Sequence, residues 1–176
     1  NAETEALRRL AHPNLVRLVG YASGSGVRRA VVYELLARQN LKALLFAPAA
    51  GQPLDAARRM AIAVAVARGL VHIHGHEDPD VEEGAGAQEH PMLHRDVSAA
   101  NIGFALGSSG EAKIVDFGFA KFTSDTAAMS ITGGGAGLGT PGYIAPEVRN
   151  GQYGVRSEIY SFGCLLLALV TSRRAA

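Results

Sequence analysis

His94-Arg95-Asp96-Val97-Ser98-Ala99-Ala100-Asn101 and, further along, Asp116-Phe117-Gly118 are the stretches on which the reading of this chain turns. Asp96 can accept a proton. Asn101 offers a neutral oxygen to a hard cation, and Asp116 a charged one. Phosphoryl transfer asks for that set: a carboxylate to orient the attacking hydroxyl, ligands for Mg²⁺, and little covalent help. Gly118 is expected to let the backbone turn sharply beside the metal. One tripeptide such as Asp-Phe-Gly arises often by chance; both motifs in this order do not.

Working outward, strand signals at 101–104 and 112–115, joined by a turn at Gly107-Ser108-Ser109-Gly110, carry the two motifs. Upstream, 2–10 reads as a helix with Ala2, Ala6, Leu7 and Leu10 on one side. His12-Pro13-Asn14 stops it, because Pro disfavours helix at the preceding residue. Residues 15–21 and 29–35 read as strands of a hairpin around a turn at 24–26. Asn40 caps a short helix over 41–46, and 48–53 is a linker. Asp55 caps a long helix ending near His74. Its Met60, Ile62, Val64, Val66, Leu70, Val71 and Ile73 are apolar nearly all round, which predicts burial on most faces. Residues 75–90 read as a surface loop. Residues 119–142, with six glycines from Gly133 onward, read as a mobile loop. A strongly apolar helix over 156–171 follows.

Composition sets bounds. The 176 residues are 48% apolar with net charge +1. One domain with a sizeable core fits, and no strong attraction to nucleic acid or an anionic membrane is expected. A single cysteine, Cys164, excludes a disulfide framework and suits a reducing compartment. Within an apolar helix it reads as core. The longest apolar run, 162–170, falls short of the ~20 residues of a membrane helix, and no signal peptide is visible. His72, His74 and His76 point different ways at helical spacing and read as a solvated helix end, not a metal site. Gly137-Leu138-Gly139-Thr140-Pro141-Gly142 matches GxGxxG formally, but no strand precedes it and no helix start follows. Arg173-Arg174 reads as a solvated helix terminus suited to the helix dipole.

A third motif, Gly139-Thr140-Pro141-Gly142-Tyr143-Ile144-Ala145-Pro146-Glu147, completes a set that resembles the protein-kinase signature. The resemblance covers essentially the whole chain and is strongest to plant receptor-like and Pelle-type Ser/Thr kinases. His12-Pro13-Asn14-Leu15-Val16-Arg17-Leu18-Val19-Gly20-Tyr21, Val31-Val32-Tyr33-Glu34, Ala67-Arg68-Gly69-Leu70 and Ser157-Glu158-Ile159-Tyr160-Ser161-Phe162-Gly163 carry it. It implies an α+β, partial protein-kinase-like fold. Residues 1–36 would hold the end of αC, two small-lobe strands and the hinge. Residues 37–176 would hold the large lobe through αF. The Gly-rich loop, the ATP-gripping lysine and helices αG–αI are expected to lie outside the chain, which alone would then lack useful activity.

The resemblance also implies roles. Asp96 is the catalytic base, with Asn101 and Asp116 on Mg²⁺. Glu3 matches the αC glutamate that pairs with the ATP-gripping lysine. Tyr33 matches the gatekeeper, and backbone groups of Glu34 and Leu36 meet adenine. Leu7, Leu18, His94 and Phe117 match the regulatory spine. Arg95 marks an activation loop held by phosphate. Ser130 and Thr132 are the best-placed acceptors there, with Thr123, Ser124 and Thr126 weaker. Thr140 matches the threonine of Ser/Thr specificity. The implied cofactors are ATP and Mg²⁺, and the partner a protein Ser or Thr. The implied location is the cytoplasm or the cytoplasmic side of the plasma membrane.

Three departures stand out. Ser98 replaces the lysine usually aimed at the γ-phosphate. Gly103 sits where a leucine forms the floor under adenine, a contact worth roughly 2 kcal/mol. Glu158 replaces the αF aspartate that holds the catalytic loop, and its added methylene is expected to disturb that loop. Together they define an alternative, a pseudokinase that binds nucleotide or partners without catalysis.

Overall fold

The computed structural model describes residues 10–24, 27–47, 54–75, 91–107, 110–122, 129–130 and 139–174. The expected helix before Leu10, the 48–53 linker and most of the 75–90 loop lie outside these residues. Strands β1 (Leu18–Gly24) and β2 (Val27–Tyr33) form the expected antiparallel hairpin. Its start is displaced from the sequence reading. Leu15 and Val16 are buried in the core, and Leu15 pairs with Ile114 in a bridge instead, the Val16 N–H donating to the Ile114 carbonyl (2.9 Å) and the Ile114 N–H to the Asn14 carbonyl (2.8 Å). Burial outweighed strand alternation there.

Both helix starts fall where their caps predict. The Asn40 side chain accepts the Ala43 N–H (3.0 Å) and opens α1 (Leu41–Phe46). The Asp55 carboxylate accepts the Arg58 N–H (2.7 Å) and opens α2 (Ala56–His74). The burial expected of α2 is corrected. Ile62, Ala65, Val66, Leu70 and Ile73 form one inward stripe, whereas Met60 and Val71 are 66% and 73% exposed and Val64 is exposed too. The neighbours cover one face only. At Gly69 that face is close. A Cβ there would lie 2.9 Å from Ile114 Cδ1 and 3.1 Å from the Asn14 carbonyl.

After β3 (Met92–Leu93) a 3-10 turn (Ala99–Asn101) leads into β4 (Ile102–Phe104), which pairs with β5 (Ala112–Ile114). The stretch read as a mobile loop holds two further strands. β6 (Lys121–Phe122) pairs with β3, and β7 (Met129–Ser130) pairs with β8 (Gln152–Tyr153). Two-residue ladders leave no periodicity to detect. Helix α3 (Val155–Thr171) closes the described chain. The Arg59 guanidinium reaches from α2 to the last turn of α3, donating to the Leu169 carbonyl and to Ser172 Oγ (2.9 Å). An arginine suits those exposed carbonyls.

The core runs through α1, α2, α3, β4 and β5, with a smaller cluster of Leu93, Ala145, Val148 and Tyr153. Cys164 is partly buried against the main core. Among the described residues no helix is long and apolar enough to cross a membrane.

Before β1, the His12 ring stacks on His72 of α2, centroids 4.8 Å apart, and His12 Nδ1 accepts the Asn14 N–H (3.1 Å). Burial first, then the neighbouring His72, hold the His12 pKa below its ordinary value. The folded state therefore binds fewer protons than the unfolded chain. Stability should be complete above the unfolded value near 6.5, fall as pH drops below it, and level off beneath the folded value. Melting temperature recorded across this range should show the fall, and His12→Phe should flatten it. An equally steep fall in that variant would assign the effect elsewhere.

Candidate active site

The carboxylate of Asp96 is held from three directions. Its Oδ1 accepts the Thr140 N–H (2.8 Å) and the Thr140 hydroxyl (2.7 Å). Its Oδ2 accepts Asn101 Nδ2–H (2.7 Å), and the same amide also donates to the Asp96 carbonyl (2.9 Å). A carboxylate has about four lone-pair positions, so one remains open to a substrate hydroxyl. Both Asn101 amide hydrogens are spent on Asp96, which leaves the amide oxygen for a cation. Asn101 and Asp116 flank the open end of the β4–β5 ladder, where the Val115 N–H donates to the Asn101 carbonyl (3.0 Å). Neutral and charged oxygens at one strand end fit a hard divalent metal completed by water and phosphate.

The backbone is bent where the chemistry lies. Arg95 and Asp116 have φ of 70° and 65°, uncommon for residues with a Cβ. The sharp turn is therefore made at Asp116, not at Gly118 as the sequence suggested. Gly118 supplies room instead: a Cβ there would lie 3.1 Å from Asp116 Oδ1, which accepts the Gly118 N–H at 3.3 Å. Phe117 is buried and packs edge-on against His94, centroids 4.9 Å apart, with Leu18 against the same core. His94 Nε2 lies 3.0 Å from the Val115 carbonyl and Nδ1 accepts the Asp96 N–H (3.2 Å). These partners assign the neutral Nε2–H tautomer. The Leu7 position of the spine lies outside the described residues.

Glu158 is fully buried. The disturbance expected from its extra methylene does not occur, because Oε1 still accepts the Arg95 N–H (2.5 Å). Oε2 lies 2.7 Å from His74 Nε2, and the Tyr153 hydroxyl donates to Oε1 (3.3 Å). Burial, then the Glu158 charge, push the Tyr153 phenol above its ordinary value, so it remains a donor. His74, read as part of a solvated helix end, is thus a half-buried partner of a buried carboxylate. The signal that could have found it was the glutamate in an apolar helix, which demands a donor. The Arg95 guanidinium lies over the Tyr153 ring (5.8 Å), and its Nε has no partner among the described residues.

Ser98 lies behind Thr140, which in turn bonds Asp96. It is fully buried, with its hydroxyl 3.1 Å from that of Thr140. At the hinge, burial raises the Glu34 pKa, but the Arg17 N–H (2.8 Å) and the Lys113 ammonium (2.9 Å) bring it below its ordinary value overall. The Glu34 N–H is occupied by the Arg17 carbonyl (2.9 Å). The Leu36 backbone groups have no hydrogen-bond partner among the described residues, since the Ala37 N–H makes the bond to the Phe104 carbonyl (2.8 Å). Tyr33 is half-buried beside them. A Cβ on Gly103 would lie 2.8 Å from Leu36 Cδ1, so Leu36 occupies the space that the glycine leaves. Glu3 and Thr132, with Thr123, Ser124 and Thr126, lie outside the described residues. Ser130 sits in β7 opposite Gln152.

A positioned carboxylate, an amide and a second carboxylate at paired strand ends are the working parts of a phosphoryl-transfer enzyme. The chain belongs to the protein kinase family: the protein kinase domain model matches residues 1–175. It is 38% identical to the receptor-like kinase LIP2 of Arabidopsis thaliana, over 99% of this chain and 29% of that protein. It is 40% identical to the probable serine/threonine-protein kinase PBL2 of the same plant, over 98% and 37%, and 37% identical to the proline-rich receptor-like protein kinase PERK7, over 98% and 22%. The chain thus spans well under half the length of these relatives. Protein kinase domains in general use ATP and a divalent metal, and the α+β architecture agrees with part of such a domain.

Proposed function

We propose that the whole protein is a Ser/Thr protein kinase that moves the γ-phosphoryl group of Mg·ATP to protein hydroxyls. The observation that carries this is the triply held Asp96 carboxylate with one lone pair open. Asp96 orients the incoming hydroxyl and takes its proton. Asn101 and Asp116 would hold Mg²⁺, which neutralises phosphate charge when bound. Thr140 fixes Asp96, and Ser98 supports Thr140. Tyr33, Glu34 and Leu36 border the adenine pocket, and Glu3 would pair with the ATP-gripping lysine. Arg95, stacked on Tyr153, has the donor fork that suits an activation-loop phosphate, for which Ser130 and Thr132 are the proposed acceptors. Residues 1–36 then belong to the small lobe and 37–176 to the large lobe, on the cytoplasmic side, where ATP is. Of the three departures behind the pseudokinase alternative, Glu158 keeps the bond to the Arg95 N–H and Leu36 fills the space beside Gly103, which favours catalysis, whereas Ser98 does not supply the charge of the lysine it replaces.

The test is transfer of labelled phosphate from ATP to Ser/Thr peptides by the full-length protein with Mg²⁺. Incorporation into Ser or Thr is expected, and incorporation no greater than that of Asp96→Asn would refute the reading.

In this reading Leu36 forms the floor that Gly103 lacks. Leu36→Ala should weaken ATP binding about tenfold or more, the worth of a buried leucine contact. Gly103→Leu alone should also weaken it, and the two together should recover most of the loss. Calorimetric titration of ATP decides; unaltered affinity in Leu36→Ala would remove Leu36 from the floor.

A further inference from the structure

We propose that a cation-lined cavity beside Asp96 selects protein substrates with an anionic side chain close to the phosphoacceptor. The inference rests on the kinase reading and adds the substrate class. The cavity holds about 120 Å³ between α1, the 3-10 turn after Ser98 and the segment after Gly139. Thr140 lines it and also grips the catalytic carboxylate through its N–H and hydroxyl. A hydroxyl delivered to Asp96 therefore brings its neighbours past this cavity, since each residue of extended chain spans about 3.3–3.6 Å.

The charge around the cavity has one sign. Lys42 and Arg174 are its charged lining residues, and no lining residue is acidic. Neither cation has an ion-pair partner among the described residues. The floor is made of Ala99 and Ala100, which leave the space open and supply no competing carboxylate. Both cations are placed. The Arg174 guanidinium lies over the Phe46 ring (5.7 Å), so the residue read as a solvated terminus folds back to the rim. A stacked guanidinium keeps its edge donors free for carboxylate or phosphate. Lys42 stands on α1, which is tied to the catalytic loop by Asn40 Nδ2–H donating to the Ala100 carbonyl (3.0 Å). A carboxylate or phosphate on the substrate would meet two unpaired cations. A lysine or arginine there would meet two like charges.

The experiment uses the full-length protein and serine peptides identical except at one position. Each position within three of the serine carries Glu, phosphoserine, Ala or Lys in turn. Turnover gives kcat/KM, and fluorescence anisotropy gives affinity at low and high salt. At one or more positions Glu should exceed Lys by about tenfold, as expected of two exposed charge pairs, and the gap should narrow with salt. Lys42→Glu with Arg174→Glu should invert the ratio. The milder Lys42→Ser with Arg174→Ser should bring it near one and guards against misfolding. Preference for phosphoserine without Glu would assign the cavity to an already phosphorylated substrate; preference for both assigns it to anions generally. A Glu-to-Lys ratio near one at every position, or one unmoved by charge reversal, overturns the inference. Turnover with such a flat ratio leaves the kinase reading intact. Charge-reversible binding without any turnover sinks that reading and with it the claim about substrates, and leaves only an anion-binding cavity.

Discussion

Asp96→Asn in the full-length protein is expected to lower kcat by about 10²–10⁴, the usual contribution of a positioned general base. Size is conserved, so the loss measures chemistry and hydrogen bonding. The new side chain can still accept the Thr140 N–H and hydroxyl through its oxygen. Its amide nitrogen then faces Asn101 Nδ2, where Asp96 Oδ2 now accepts at 2.7 Å. Two donors cannot share that contact. Asn101 must turn its oxygen inward, away from the metal side. Asp96→Asn should therefore also raise the Mg²⁺ concentration needed for half-maximal rate. Asp96→Ala removes the base without this donor clash, so its Mg²⁺ requirement should stay closer to that of the parent. Steady-state kinetics over a Mg²⁺ series separates the two effects. A kcat within about threefold of the parent would remove Asp96 from the role of base.

What the sequence could disclose was set by range. Asn40 and Asp55 act within three residues of their own positions, and both helix starts followed. The β3–β6 and β7–β8 ladders are two residues long and depend on partners far along the chain, so nothing local marked them. Helix α2 shows the limit of composition: an apolar face is visible in the sequence, but its covering is not, and Met60, Val64 and Val71 stay exposed. In the site, the residue types of Asp96, Asn101 and Asp116 were legible because phosphoryl transfer restricts them. Their fastening was not. Thr140 holding Asp96, His74 meeting Glu158 and Arg174 folding onto Phe46 each join residues more than forty positions apart. Gly118 was misjudged because residue type implied a turn, whereas the positive φ falls on Asp116, two residues earlier.

Glu158→Ala should be the most destabilising single change in the described chain, by about 3–5 kcal/mol, as expected when one partner of a buried charged network is removed. For a domain of this size that is a fall of about 10 °C in melting temperature. Three donors converge on this carboxylate: the Arg95 N–H, the Tyr153 hydroxyl and His74 Nε2. Without it, the Tyr153 hydroxyl is left buried without its acceptor, and the part-buried Arg95 N–H and His74 Nε2 lose theirs. The Arg95 bond matters most, because Arg95 holds φ at 70° one residue before Asp96. Such a conformation costs roughly 1–3 kcal/mol and persists only while surrounding contacts enforce it. Its release should move Asp96 away from Thr140, so phosphotransfer should fall even well below the melting temperature. Glu158→Gln offers a discriminating comparison. It fills the same space and can still accept the Arg95 N–H, but it gives up the charge that strengthens the bonds to all three donors. It should lose stability by an intermediate amount and keep more activity than Glu158→Ala. Unfolding of the three proteins followed by calorimetry, beside their rates at one low temperature, tests the ordering. If Glu158→Ala melts within a degree of the parent, the buried carboxylate does not hold the catalytic loop. If it melts early but turns over at the parental rate when cold, the carboxylate stabilises the fold without positioning Asp96.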